Sequence, residues 1–448
     1  MKKLIAMLLA LALVFGLVAC GGAEKPAETQ AAAPEAAPEA APEAKAEGSV
    51  YWLNFKPESD EALQKIAALY TEKTGVPVKV TTAASGTYND TLTSEMDKDE
   101  APTMFVVGNS AAVNTWGEFC YDLTGTDVFN ELNTDAYILK DAEGKVCSIG
   151  YCYECYGIMV NKALLAEAGY AVEDITNFDA LKTIVEDITA RKDELGFAAF
   201  TAADMDSSSS WRFTGHVANL EYYWESVDAP EAWVAPGPAE LTGAYMDNYR
   251  NLMDLMFANG TVARTDLATG GHDATTQFNN GEAVFHPQGS WEWGNLSTAF
   301  GADDLAMIPY YSGVAGEENV GLNCGTENYW AVNAMASEED IKATLDFMYW
   351  LVTDAEASAL AVETFGVMPY KQAVASANPF LAMANDMAAA GKANMWWATN
   401  YQPDVDNYRA ALVSALNDYN ADPTDAKWEA VETAFVAGWA TCYANVNG

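Results

Sequence analysis

Read along its hydrophobic and polar positions, the chain begins with one unbroken apolar run, Leu4 to Val18, behind Lys2 and Lys3. A basic start, a short apolar core and small residues before Cys20-Gly21-Gly22 predict a cleaved secretory leader over residues 1–19, too short to be a stable span. No other stretch reaches the ~18 apolar residues that a membrane span needs. Residues 20–47 reverse the pattern, being nearly all Ala, Glu, Pro and Lys, with Ala-Pro-Glu recurring every four residues from Ala33. Proline at that density blocks helix and nothing in the segment can build a core, so it reads as an extended spacer of about 3.1 Å per residue.

From Gly48 the pattern alternates between a period of two and a period of 3.6. Val50 to Asn54 is a strand, and Leu63, Ile66, Ala67 and Tyr70 form a helical stripe that Gly75 stops. Val76, Val78 and Val80 alternate with polar positions, Tyr88, Leu92 and Met96 make a second helical stripe, and Thr103 to Val107 a buried strand. Strand and helix in this order predict an α/β lobe with a largely parallel sheet. Farther on, Leu181, Ile184, Val185 and Ile188 mark a helix and Ala283-Val284-Phe285 a short strand. The later segments are mostly helical. Ile341, Leu345, Met348 and Leu351 follow Ser337 and three acidic residues, a helix N-terminus by both capping and charge. Tyr408, Leu412, Ala415 and Tyr419 form another stripe, and Trp428, Val431, Phe435, Trp439 and Cys442 the last; all read as core faces. About 400 residues exceed what a single core supports, so two lobes are expected.

Charge and composition narrow the partners. With 64 acidic against 23 basic residues and a net charge of −41, nucleic acid and anionic lipid are poor partners. Arginine occurs only at 191, 212, 250, 264 and 409, which argues against a ligand clamped through phosphate or carboxylate and favours a neutral or cationic one. Cys152 and Cys155 have the spacing of a redox or zinc pair. In an extended segment, however, residues three apart point to opposite faces, and His216, His272 and His286 lie outside zinc-ligand spacing. Half-buried free thiols are expected there, and no metal or cofactor. Asp204-Met205-Asp206-Ser207 lacks the glycine and glutamate of a calcium loop, and no Gly-x-x-x-x-Gly-Lys-Ser/Thr run is present.

In open α/β sheets ligands sit beyond the carboxyl ends of strands, which directs attention to Asn54 and Lys56, to Ser85 and Tyr88, and to Asn109. Several of the thirteen tryptophans fall in predicted loops: Trp211, Trp291, Trp293, Trp396 and Trp397. A sugar ring laid on an indole buries on the order of 100 Å², worth roughly 2–3 kcal/mol. Arg212, beside Trp211, joins the candidates on local composition.

Four landmarks resemble the extracellular solute-binding proteins of ABC importers, in particular the sugar-binding group that includes maltodextrin-binding protein. They are the opening strand–helix–strand with its Ser85-Gly86-Thr87-Tyr88 loop; Tyr153 to Lys162, similar to the family's first interlobe crossing; Phe278 to Trp293, similar to its Gly-x-Trp segment; and the helix after Ser337 followed by Phe365-Gly366-Val367-Met368-Pro369, like its return crossing. Val160 stands where the family has tyrosine, and Ser290 where it has proline. The resemblance covers about residues 50–370. It implies a two-lobed α/β fold with a hinge and an interlobe cleft, the first lobe being 48–153 plus 308–366 and the second 154–307 plus 367–448. It also implies that Glu154 faces the cleft and that Trp291 and Trp293 stack on a sugar. Cys20 is similar to the acceptor of a bacterial lipobox, implying a lipid-anchored monomer on the outer face of the cell membrane that delivers a carbohydrate to ABC permease subunits. A polyamine or other small solute is the alternative within the fold, and a cell-surface glycosidase the alternative outside it.

Overall fold

The computed structural model describes residues 47–447, so the leader, Cys20 and the spacer up to residue 46 lie outside the described residues. The β-rich runs become twelve strands in two sheets. The chain first lays down β1 (Val50–Asn54), β2 (Val78–Thr82), β3 (Met104–Val106), β4 (Ile138–Lys140) and β5 (Val146–Gly150). It then crosses to β6 (Glu154–Asn161), β7 (Ala198–Phe200), β8 (Ala283–Gly289), β9 (Leu305–Ile308) and β10 (Val320–Gly325), returns for β11 (Tyr329–Val332), and ends its strands with β12 (Ala393–Trp396). The first sheet runs β2-β1-β3-β11-β5-β4; the second runs β12-β10-β6-β8-β7, with β9 on β6.

The parallel pairs are where the alternation of strand and helix places them. β1 lies between β2 and β3, parallel to both, and the helix Asp60–Thr74 between β1 and β2 buries Leu63, Ile66, Ala67 and Tyr70 before Gly75 ends it at φ 76°. β2 begins at Val78, two residues later than the alternation predicts, so Pro77 stands just ahead of the ladder, where its missing N–H costs nothing. The helix Glu338–Thr353 starts as expected: Ser337 Oγ accepts from the Asp340 N–H at 3.1 Å. The two late helices, Val405–Ala421 and Asp425–Asn447, bury Tyr408, Leu412, Tyr419, Trp428 and Trp439. No helix among the described residues is long and apolar enough to cross a membrane.

Two differences from the sequence reading stand out. The return to the first sheet was expected near residue 308, but β9 and β10 both pair with β6, so the chain returns only at 326–328. The landmark helix after Ser337 marks where the chain is already back and says nothing of where it crossed. The thiols of Cys152 and Cys155 are wholly buried rather than half-buried, and burial pushes both well up from the ordinary thiol range.

The crossings lie side by side. The Tyr151 N–H donates to Asn328 O (2.9 Å) and the Tyr153 N–H to Val367 O (2.7 Å), so three strands of backbone pass between the sheets as one hydrogen-bonded ribbon. Apolar clusters grow on either side of it, one around Trp52 and Trp330 and another around Tyr156 and Phe285. A narrow connection between two packed bodies is the architecture of a hinge.

Candidate functional site

A cavity of about 480 Å³ opens between the two bodies. Its first wall is made of the turns that follow β1, β2 and β3, as the strand-end rule requires. Asn54 is fully buried and shapes the first turn: its Nδ2 donates to Lys56 O (2.7 Å) and its Oδ1 accepts from the Lys56 N–H (3.0 Å). The turn carries Lys56 and Glu58 into the cavity. Tyr88 ties the three turns together, its hydroxyl accepting from the Val106 N–H at 2.7 Å and reaching Leu53 O at 3.4 Å. Asn109 caps the helix Ser110–Trp116 through the Ala112 N–H (2.7 Å) and sets that helix against the cavity.

The opposite wall is aromatic. Trp211, Trp291, Trp397 and His216 line it, with Tyr156 behind; the His216 ring stacks on Tyr156 at 4.0 Å and 10°, and lies 4.9 Å from Trp211 and 5.2 Å from Trp291. Burial, with the nearby charges of Arg409, Arg212 and Lys56, lowers the His216 pKa well below its usual value, so the ring is neutral. Two glycines set the tilt of the indoles. A Cβ at Gly289 would lie 2.1 Å from the Trp291 ring, and one at Gly325 would lie 2.8 Å from Trp397, so each indole rests on bare backbone. Gly289 has φ −123°, open to any residue. Gly289→Ala is therefore expected to act purely by pushing Trp291 out of the wall, lowering ligand affinity about as far as loss of the indole does, at least about tenfold; calorimetry on the folded variant checks this.

At the floor, Lys56 Nζ donates to Glu154 Oε1 at 2.8 Å and lies 3.0 Å from Glu58, while Asn328 Nδ2 donates to Glu154 Oε2 at 2.8 Å. Burial alone would depress the lysine, but the Glu154 and Glu58 carboxylates outweigh it and hold Lys56 well above its usual range. The same ammonium lies 5.9 Å from the centre of the Trp291 ring. Arg409 and Glu327 also line the cavity, and neither forms an ion pair among the described residues. Arg409 Nε donates to Gln402 (2.8 Å), and its guanidinium lies over Gly215 in the π-helical turn Arg212–Val217, where a Cβ would come within 2.9 Å.

Of the residues singled out from the sequence, Lys56, Ser85, Tyr88, Asn109, Glu154, Trp211, Trp291 and Trp397 line this cavity. Three do not. Asn54 acts beneath its turn. Trp293 faces away, edge-on to Phe380 at 6.0 Å and 88°, because the short helix Trp293–Leu296 begins there and rotates it to the far side. Arg212 lies over the Trp211 ring at 4.2 Å and lines a separate cavity of about 20 Å³. Sequence reasoning missed Glu58, Trp116, His216, Glu327 and Arg409. A signal existed for one of them. Asp406, Arg409, Ala410 and Val413 recur at helical spacing, the second face of a helix whose core stripe alone attracted attention.

The rims touch. Ser85 Oγ donates to Ser208 O (3.0 Å), Gly86 sits so close to Ser207 O that a Cβ would lie 2.4 Å from it, and Asn89 Nδ2 donates to Asp406 at 2.9 Å. Each joins a residue of the first body to one of the second across the cavity mouth.

A family model described as bacterial extracellular solute-binding protein matches residues 65–389. Among solved structures, RafE in complex with raffinose covers 86% of this chain and 98% of its own at TM-score 0.69 and 17% identity; RafE comes from Streptococcus pneumoniae. A chitin oligosaccharide binding protein covers 89% of this chain and 100% of its own at TM-score 0.65 and 15% identity. A Streptococcus pneumoniae solute-binding protein in complex with the blood group A-trisaccharide covers 86% and 98% at TM-score 0.60 and 17% identity. At these identities the likeness shows the fold, two lobes about a cleft. No sequence among the curated proteins matches the chain.

Proposed function

From the chain's membership of the bacterial extracellular solute-binding protein family, we propose that it captures a carbohydrate in the interlobe cleft and delivers it to the permease of an ABC importer. The family acts on the extracellular or periplasmic side and consists of binding proteins. The observation that carries the sugar reading is the contrast between the two walls. Trp211, Trp291 and Trp397 present flat apolar surface, while Glu154, Glu327, Asn109 and Arg409 offer acceptors and donors, the pairing that a sugar's C–H face and hydroxyl rim require. The similar structures bound to raffinose and to a trisaccharide support it.

A polyamine would share the carboxylates but meet Lys56 and Arg409 in the same lining, and like charges there count against it. Glu58 and Glu154 both lie within 3.0 Å of Lys56, which suits holding hydroxyls more than donating a proton. A non-catalytic receptor is the reading these contacts favour. Its lobes, on this reading, are residues 48–153 with 326–366 and residues 154–325 with 367–447, and Cys20 with the spacer to residue 47 tethers a monomer to the membrane. Closure is driven by a ligand that bridges the lobes, and the closed form is what the permease recognises.

The experiment is a melting series of residues 48–448 against neutral saccharides, polyamines and amino acids. A ligand at about 100 times its dissociation constant adds about 2.7 kcal/mol, a shift of a few degrees. A shift with one group of saccharides is expected; a shift with polyamines alone overturns the sugar reading. Trp291→Ala is then expected to cost at least about tenfold in affinity, the half-buried indole leaving Tm nearly unchanged. A large fall in Tm with unchanged affinity would make Trp291 a packing residue.

A further inference from the structure

The cavity lining changes character where the helix Ser110–Trp116 faces the helix Val405–Ala421. Ala112 and Trp116, four residues apart, share one face of the first helix, and Ala410 and Val413, three apart, share one face of the second; all four line the cavity. Apart from the indole N–H, none offers a side-chain hydrogen bond. The charged lining, by contrast, comes from the first turn, the crossings, and Asp406 and Arg409, which precede Ala410 and Val413 by one turn of the same helix.

Trp116 is half-buried and held from behind. Its ring lies 5.6 Å from Phe119 at 60° and 6.4 Å from Phe105 at 68°, edge-to-face geometry that fixes the indole plane. Among the described residues it makes no ring contact with Trp211, Trp291, Trp397 or His216, so it is a separate platform and belongs to the opposite lobe. The four side chains themselves offer a hydroxyl no partner beyond the indole N–H, but they accept the C–H face of a ring, with Asp406 and Arg409 at its edge. The whole cavity, at about 480 Å³, lies within the range of about 300–1,000 Å³ that holds drug-sized ligands.

We propose that Trp116, with Ala112, Ala410 and Val413 around it, forms a second stacking subsite that takes a further sugar ring, so that the preferred ligand is an oligosaccharide of at least two rings. This rests on the carbohydrate reading above. The far-wall indoles hold one ring, and the next reaches across to Trp116, which makes the ligand itself the bridge between the lobes. Residues at 112 and 116 thereby select for length.

The test measures calorimetric affinities of wild type, Trp116→Leu and Ala112→Phe for one-, two- and three-ring members of the series that stabilises the wild type. Galactose, melibiose and raffinose form one such series; N-acetylglucosamine with its β-1,4 dimer and trimer forms another. Ala112→Phe fills the subsite while keeping Trp116 itself, so a Trp116→Leu variant that folds poorly does not end the test. The wild type is expected to prefer the longer members at least about tenfold, and each variant to lose that preference while the one-ring affinity stays within about twofold. A preference that survives in Ala112→Phe, or a wild type that prefers the one-ring member, overturns the second subsite and leaves the carbohydrate reading standing. A wild type that binds no saccharide overturns both.

Discussion

Lys56→Met is expected to destabilise the protein by about 3–5 kcal/mol and to abolish ligand binding. The side chain is 5% exposed and its partner Glu154 3%, so removing the ammonium leaves a carboxylate in a desolvated floor with only Asn328 to satisfy it. Glu58, at 32% exposure, reaches water and gains nothing that compensates. Lys56→Met/Glu154→Gln removes both charges and keeps an acceptor for Asn328 Nδ2, and is expected to recover more than half of the loss. Urea unfolding of the two variants separates the cases. The pH dependence has a definite sign. A lysine held above its unfolded value contributes stability that is fully present below about 10.5 and is lost as pH rises through the folded value. Hence the gap between wild type and Lys56→Met should narrow in strong alkali, and also in acid, where burial, which already raises the Glu154 pKa, lets the unpaired carboxyl of the variant take up a proton. A single variant within about 1 kcal/mol of wild type would mean that water enters the floor and screens the pair, the behaviour of a cleft that stands open in solution.

The ion pair also shows what in the site could be read from the chain. Glu154 follows the Tyr-Cys-Tyr run of a crossing segment, and Lys56 lies just past a strand's carboxyl end, so each was a candidate on its own. That they are one pair depends on residues 98 apart meeting at the ribbon between sheets, which no local pattern encodes. The core was legible because burial imposes periodicity: the stripes through Leu63, Leu181, Leu412 and Trp428 all face inward. Cavity faces impose a weaker one. Asp406, Arg409, Ala410 and Val413 share a helix face with neither a common polarity nor a common size, so a hydrophobicity pattern passes over them. Of the tryptophans in predicted loops, Trp211, Trp291 and Trp397 line the cavity, while one turn of helix sends Trp293 to the far side and Trp396 ends β12 outside it. Trp116 was missed for the converse reason, since it ends a helix instead of falling in a predicted loop. The late return of the chain was hidden as well, because β10 is as buried as the strands of the first sheet and only its pairing with β6 assigns it.

Glu221 carries the second large effect, and it lies away from the cleft. Its side chain is fully buried in the helix Asn219–Asp228, where its carboxyl oxygens make no well-formed hydrogen bond, with only the Tyr245 backbone and the Glu225 carboxyl nearby. Burial, with the Glu225 carboxylate close by, pushes its pKa up to about 9 from the ordinary 4.5. Glu225 itself is engaged, accepting from the Thr242 N–H and hydroxyl and from the Gly243 N–H. At neutral pH Glu221 is therefore the protonated member of the pair. Below about 4.5 the folded and unfolded chains both hold this proton and it has no effect on stability. Between about 4.5 and 9 only the folded chain holds it, so stability falls as pH rises, at about 1.4 kcal/mol per unit. Some 3 kcal/mol is then lost by about pH 7. Glu221→Gln keeps the size and an N–H that can face Glu225, but has no proton to lose. It is expected to match wild type near pH 5 and to exceed it by about 3 kcal/mol at pH 7, a rise of about 3–4 °C in Tm for a chain of this length. Melting both proteins from pH 5 to pH 8.5 decides it. A gap that widens with pH identifies Glu221 as an acid kept neutral by its surroundings. A gap that is the same at every pH would mean the folded chain ionises Glu221 as readily as the unfolded one, which requires water to reach the Glu221–Glu225 pair.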